Sequence, residues 1–248
     1  MASVAEFFRW LNDAHAVNLT IFYDPYDRGR FLGGVWTTVY LSLTCILFST
    51  IFGVVGAWLL ASRFRLVRLA VQAYVQVFRN TPPLVQLLFF FFAIGSVMPN
   101  IATGGRTSEA LITNVGWAII SLSLFAGAFN VEIFRSGIEA VPTTTSEAAE
   151  SLGYTRLGAY IHIVLPLAFR ICLPAFNNNL VNLVKTTTLA YAIAVPEVLY
   201  ASAQIWSDNF NVREMMNVLL VTYILLVGVV VLVMRRIERW LHMPGYTV

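Results

Sequence analysis

Residues 31–62 read FLGGVWTTVYLSLTCILFSTIFGVVGAWLLAS, a run without one Asp, Glu, Lys or Arg. A helix needs roughly 20 apolar residues to cross the hydrocarbon core of a bilayer, and this run exceeds that length. Its apolar residues are continuous and do not alternate with polar ones, the pattern of a spanning helix and not of a barrel strand. Residues 80–105, 110–131 and 215–234 are equally free of charge. A further apolar stretch, near 166–188, carries Arg170 and Lys185 and reads as a span with polar groups inside the membrane.

Composition agrees. The chain is 58% hydrophobic and 12% charged, with a mean hydropathy of +0.73; a soluble domain carries about a quarter charged residues. The expected fold class is an all-α membrane protein with five transmembrane helices, at about 33–60, 72–98, 111–134, 166–188 and 214–236. They form a single domain over 31–240, after an external segment 1–30 and before a tail 241–248; residues 135–165 make the longest connection. Glu6, Arg9, Asp13 and Asp24 lie among aromatics near the start, unlike a cleavable signal peptide, so the first span serves as the membrane signal. Cys45 and Cys172 fall in apolar spans, where a thiol behaves as a small hydrophobe.

The basic residues give an orientation. Arg63, Arg65, Arg68, Arg79, Arg135, Arg156, Arg170, Arg235, Arg236 and Arg239 fall on one side of a five-span chain, and Arg9, Arg28, Arg30, Arg106 and Arg213 on the other. The richer side is cytoplasmic by the positive-inside tendency. The N-terminus is then outside and the C-terminus inside. This excess also accounts for the pI near 9.0 without a nucleic-acid partner.

Polar residues within the spans mark candidate pathway positions. Asn178, Asn182 and Lys185 follow at i, i+4 and i+7, with Thr186 beside them, so one face of span four is polar. Lipid penalises such a face, which should turn to the bundle interior, a partner or a water-filled cavity; interhelical hydrogen bonding is the other reading for the asparagines. Lys185 could pair with a substrate carboxylate or with a neighbouring helix end. Asn80, Thr81, Pro82 and Pro83 mark a kinked entry to span two, and Gln86 one turn later is a candidate for the path. Ser123, Gly127 and Asn130 share a face suited to close helix packing. Glu132 and Arg135 are spaced as an i,i+3 pair. His15, His162 and His242 are too scattered to hold a metal.

The connection contains Ala140-Val-Pro-Thr-Thr-Thr-Ser-Glu-Ala-Ala-Glu-Ser-Leu-Gly153. Thr144 and Glu147 have the spacing of a capping box, with Ser146 as a rival cap. Gly153 suits a helix end that needs positive φ. A second short helix is expected from Tyr154 to Leu165, closed by Pro166. Two short helices across the cytoplasmic face suit the docking of another protein; a capped loop helix without partner is the plainer alternative.

Glu147-Ala148-Ala149, Gly153 and Ile163-Val164-Leu165-Pro166 together resemble the EAA signature of the membrane subunits of bacterial ABC importers. Phe78-Arg79-Asn80-Thr81-Pro82 with Val85-Gln86-Leu87, and Leu183-Val-Lys-Thr-Thr-Thr-Leu-Ala190, are similar to the amino-acid permease branch of that family. The resemblance covers about 34 to 240, and departs at Thr144-Thr145, where many members carry Gly-Gln. It implies a type I importer permease in the bacterial inner membrane, paired with an identical or homologous permease. The implied partners are ABC ATPase subunits and a periplasmic or surface amino-acid-binding protein. Glu147, Ala148, Ala149, Gly153, Leu165 and Pro166 would then form the element that fits the ATPase. No cofactor is expected on this chain: it has no Gly-x-x-x-x-Gly-Lys-Ser/Thr loop, and its only lysine is Lys185. ATP and Mg would be used by the partner. A secondary, ion-coupled amino-acid transporter or channel is the alternative; it usually shows several intramembrane carboxylates or rings of charge, where these spans hold Lys185 and the marginal Glu132.

Overall fold

A computed structural model of the chain describes residues 2–102 and 108–241. Gly104, Gly105, Arg106 and the tail with His242 lie outside the described residues. The described chain is helical except for loops and one small antiparallel ribbon, β1 (Asn100–Ala102) paired with β2 (Ser108–Ala110). Among the described residues, four helical stretches are long and apolar enough to cross a membrane: Pro25–Leu60, Asn114–Glu139, Arg156–Ile193 and Val212–Trp240. The pair Arg65–Asn80 and Pro83–Val97, bent by 111° at the break between them, reaches that length and hydropathy only when taken together, as a broken span or a re-entrant loop.

The chain opens with the amphipathic α1 (Ala2–His15) and a single turn, α2 (Thr20–Tyr23). Stacked rings of Phe8 and Phe22, 4.3 Å apart, tie the two together. Helix α3 (Pro25–Leu60) begins well before the charge-free run, because Pro25 has the φ of a first helical residue and Asp27 suits the positive end of the helix dipole. At 36 residues it is about 54 Å long, against a core of about 30 Å.

After α4 (Arg65–Asn80) the helix stops at Thr81, whose extended backbone (φ −116°, ψ 143°) is what a residue preceding a proline adopts. Pro83 then starts α5 (Pro83–Leu88), so the expected second span is two helices and not one. A π turn over Phe89–Ile94 and a 3-10 turn over Gly95–Val97 complete it. The remaining helices are α6 (Asn114–Glu139), α7 (Thr143–Ser151), α8 (Arg156–Ala159), α9 (Leu165–Thr186), α10 (Val198–Asn209) and α11 (Val212–Leu241). A π turn, Tyr160–Val164, leads from α8 into α9, and a 3-10 turn, Thr187–Ile193, follows α9.

The chain divides into two compact units. One takes Met1–Cys45, Pro83–Ser121 and Val184–Gly228; the other takes Ile46–Pro82, Leu122–Leu183 and Val229–Val248.

The first unit is laced by polar contacts. Glu197 is fully buried and caps α10, accepting from the backbone N–H groups of Leu199 and Tyr200 at 2.8 Å each and from the Tyr223 hydroxyl at 3.1 Å. Burial pushes its carboxyl above the usual carboxylate range, and these hydrogen bonds pull it only part of the way back. Gly34 lets α3 approach α10 closely; a Cβ there would stand 2.8 Å from that of Ala201. The Val198 N–H donates to the Thr38 hydroxyl at 3.0 Å. Buried Asp27 accepts from Asn209 at 2.8 Å, and Arg30 reaches Asp208 at 2.7 Å.

The second unit is held by close helix approach. Added Cβ atoms at Gly53 and Gly56 would each meet α6 at 2.4 Å, on Asn130 and Val131. One at Gly127 would meet Phe52 at 2.8 Å, the packing expected of the Ser123-Gly127-Asn130 face. Tyr74 donates to the Leu124 carbonyl at 2.7 Å. Val71, Val75 and Val131 form one apolar cluster, and Leu173, Phe176 and Leu180 another.

Candidate functional site: the loop between α6 and α9, and the polar face of α9

Helix α7 carries the EAA residues, and its two ends are built differently. Pro142 stands at the N-cap with φ −58° and ψ 137°, and no side chain caps the helix. The expected Thr144–Glu147 capping box is therefore not formed. Proline's fixed φ starts the helix upstream of both cap candidates, so Thr144 lies within the first turn. The Ser146 hydroxyl instead donates to the Thr143 carbonyl at 2.7 Å.

The far end closes as a Schellman motif. The N–H of Gly153 donates to the Glu150 carbonyl at 3.0 Å and that of Tyr154 to the Ala149 carbonyl at 3.1 Å. This geometry needs a left-handed residue after the helix, and Gly153 supplies it with φ +91°.

Within the loop Glu147, Ala148 and Gly153 are exposed, whereas Ala149 is buried, where α7 packs on α8 and the π turn. Beside them Leu152 is 81% exposed and Leu157 68%, large apolar side chains with nothing over them. Glu150 and Arg156 pair across the turn at 3.5 Å.

The expected second helix, Tyr154 to Leu165, is not a separate element. The Thr155 hydroxyl accepts from the Gly158 N–H at 3.1 Å and starts α8, which runs through the π turn into α9. Pro166 does not close it. The wider π turn just before that residue makes room for the proline ring, and periodicity cannot foresee such a turn. Leu165 and Pro166 are exposed in the first turn of α9.

Along α9, Asn178, Asn182 and Lys185 are exposed and Thr186 is half-buried. Their neighbours Asn177 and Asn179 turn the other way and are buried. Asn179 donates to Asn130 at 2.8 Å and to the Ala126 carbonyl at 3.0 Å, while Asn177 donates to Glu238. The i, i+4, i+7 spacing predicts one polar face; the run Asn177-Asn178-Asn179 supplies two, and burial separates the packing residues from the exposed ones.

The remaining pathway candidates are mostly capping groups. Asn80 donates to the Gln76 carbonyl at 2.8 Å and Thr81 to that of Val77 at 2.7 Å, both closing α4. Gln86 is buried in α5, which packs on Thr187–Ile193. Glu132 and Arg135 pair at 2.8 Å, as their spacing predicts. Arg79, 3.9 Å from Glu132, and Glu139, 2.7 Å from Arg135, extend the pair into a chain along a polar cavity of about 540 Å³.

The model of binding-protein-dependent transport system inner membrane components matches residues 34–243. The histidine/lysine/arginine/ornithine transport system permease protein HisM of Salmonella typhimurium is 30% identical over 218 residues, covering 87% of this chain and 92% of that protein. The nopaline transport system permease protein NocM of Agrobacterium fabrum is 30% identical over 215 residues, 86% of this chain and 88% of its own. Among solved structures, an amino acid ABC transporter crystallised with histidines superposes with a TM-score of 0.75 at 24% identity, covering 86% of this chain and 94% of that one. The methionine ABC transporter MetNI gives 0.66 at 20% identity, over 89% and 99% of the two chains. From the family match over most of its length, the chain belongs to the binding-protein-dependent transport system inner membrane components, the permease subunits of ABC importers.

Proposed function

We propose that this permease subunit carries a polar amino acid into the bacterial cell, driven by separate ATPase subunits that grip the α7 loop. The observation that carries this reading is the loop itself. A short helix, locked at its end by Gly153, presents Glu147 and Ala148 together with uncovered Leu152 and Leu157. Exposed apolar side chains around a rigid element mark a protein-docking surface. ATP binding by the partner can shift the permease between states only by as much as it favours one of them.

The uncovered polar face of α9 supports a second permease, identical or homologous. A lysine in lipid costs about 3 kcal/mol on insertion scales, so Lys185 and its asparagines belong against a partner or a water-filled path. Lys185 suits a carboxylate, the group every amino acid carries. The names of HisM and NocM support a polar, nitrogen-rich cargo. A binding protein would deliver it from outside.

Orientation has its own support. Arg63, Arg65, Arg68, Arg79, Arg135, Arg156, Arg170, Arg235, Arg236 and Arg239 all belong to the unit that contains the α7 loop, and Arg9, Arg28, Arg30 and Arg213 to the other. The arginines that flank the α7 loop, Arg135 and Arg156 among them, support a cytoplasmic position for that loop by the positive-inside tendency.

The test is a complex reconstituted with its ATPase and binding protein, read as ATP hydrolysis stimulated by a panel of amino acids. Stimulation by one or a few polar amino acids is expected. Uptake by the permease alone in response to a pH gradient would instead identify an ion-coupled carrier. Ala148→Asp should abolish transport while membrane insertion persists; normal uptake by that variant refutes the docking role. A cysteine introduced as Glu147→Cys should be labelled only from the cytoplasmic side.

A further inference from the structure

Where α3 and α11 begin, a groove of about 680 Å³ opens between Val17–Phe22 and the first turns of the two helices. Its chemistry changes along its length. Arg28, Arg213 and Glu214 stand at the helix starts, and Phe31, Leu32, Val218 and Val221 follow along the same helices. Asn217 lies one turn below Arg213, and the Thr222 hydroxyl is spent on the Val218 carbonyl at 2.8 Å. From Arg213 to Val221 the helix advances about 12 Å, close to one leaflet of a hydrocarbon core about 30 Å thick.

The mouth is net positive, with two guanidinium groups against one carboxylate. Arg213 pairs with Glu214 at 2.9 Å. Arg30 is engaged by Asp27 at 3.6 Å and Asp208 at 2.7 Å. The Arg28 guanidinium has no ion pair or hydrogen bond among the described residues. Only 6% of the apolar window of α11 is buried, so the groove is open to lipid. Phe22, one wall of the groove, stacks on α1, which exposes Phe7 and Trp10 as an interfacial amphipathic helix does.

We propose that this groove is a binding site for one anionic phospholipid. The phosphate lies between Arg28 and Arg213, the ester region lies against Asn217, and an acyl chain runs along Phe31, Leu32, Val218 and Val221. Charge complementarity at the mouth and an apolar trough of leaflet depth fit one molecule that carries both features.

The experiment is native mass spectrometry of the assembled transporter taken from vesicles of equal phosphatidylglycerol and phosphatidylcholine; the mass of the complex in the same spectrum reports assembly. One phosphatidylglycerol retained per copy of this chain is expected. Arg28→Gln with Arg213→Gln should lower the preference for phosphatidylglycerol about 25-fold, roughly fivefold per arginine. Arg28→Lys with Arg213→Lys should restore most of it. Val221→Trp, which fills the trough, should remove retention of both lipids. The assignment is overturned if the double glutamine variant keeps the wild-type preference, or if Val221→Trp retains as much lipid as the wild type. No retained lipid on the wild-type complex, as when a protein helix fills the groove, overturns it equally.

Discussion

Helices α6 and α11 are both apolar enough to span, yet 61% of the apolar window of α6 is buried inside the chain and 6% of that of α11. The more hydrophobic of the two, α11 with a window hydropathy of 2.7 against 1.6, is the one left outside. In lipid, where the solvent is as apolar as leucine, hydrophobicity does not bring helices together; small residues and buried polar groups do. Helix α6 has Ser121, Ser123, Gly127 and Asn130, all but Gly127 among the buried polar residues. Helix α11 offers valine and leucine to the bilayer. Hydropathy therefore locates the membrane, and the exceptions to hydropathy locate the neighbours.

The sharpest way to break that contrast is a methyl group on the α6 side. A Cβ at Gly53 would stand 2.4 Å from the Asn130 Cβ, 2.9 Å from the Phe134 ring and 3.2 Å from the Asn130 backbone. Backbone cannot step aside as a side chain does, so Gly53→Ala should cost about 3 kcal/mol, the upper end for overpacking. A thermal melt of the detergent-solubilised complex measures it, and an unchanged midpoint would show that α3 and α6 do not approach this closely.

The next effect is smaller and lies in the other unit. Glu197→Ala removes the cap of α10 and takes the carboxylate acceptor from the Tyr223 O–H, for about 2 kcal/mol. This site also carries a pH signature. The folded chain holds the Glu197 proton more tightly than the unfolded chain, whose ordinary value is 4.5. The stability it contributes is therefore complete below that value and is lost as pH rises through the raised folded value. Glu197→Gln should flatten this part of the pH dependence while leaving one capping N–H without an acceptor. A variant whose stability still falls over the same window would assign the titration to another group.

How much of this was legible follows the same division. The charge-free runs showed where helices cross, and Asn80-Thr81-Pro82-Pro83 showed where one breaks, since proline restricts itself and the residue before it. The positive φ of Gly153 was equally local. Non-local features were out of reach. Spacing alone singled out Asn178, Asn182 and Lys185, yet Asn177 and Asn179 carry the buried hydrogen bonds, a choice made by which neighbour each faces. Nothing local to Glu197 says that Gly34 and Thr38 of α3 close over it. Pro166 misled because a π turn leaves no periodic trace.

Asn179 measures how much a buried polar pair contributes in a membrane. Its amide donates to Asn130 and to the Ala126 carbonyl, but the unfolded chain in lipid also finds partners, and such bonds average about 0.6 kcal/mol. Asn179→Ala should lower stability by about 1 kcal/mol, clearly less than Glu197→Ala in the same melt. An equal or larger loss would mean that Asn130, left without its donor, reorganises α6.

The smallest effect has the opposite sign. Gly228 sits in α11 with nothing within 4 Å of an added Cβ. Alanine restricts the unfolded chain and favours helix, so Gly228→Ala should raise stability by about 0.5 kcal/mol. The same glycine-to-alanine change that is costly at Gly53 is mildly favourable here, because a Cβ at Gly53 meets α6 and one at Gly228 meets nothing within 4 Å. If Gly228→Ala lowered the midpoint of the assembled complex, the exposed face of α11 would be covered there by another chain, and the glycine would belong to a subunit contact and not to lipid.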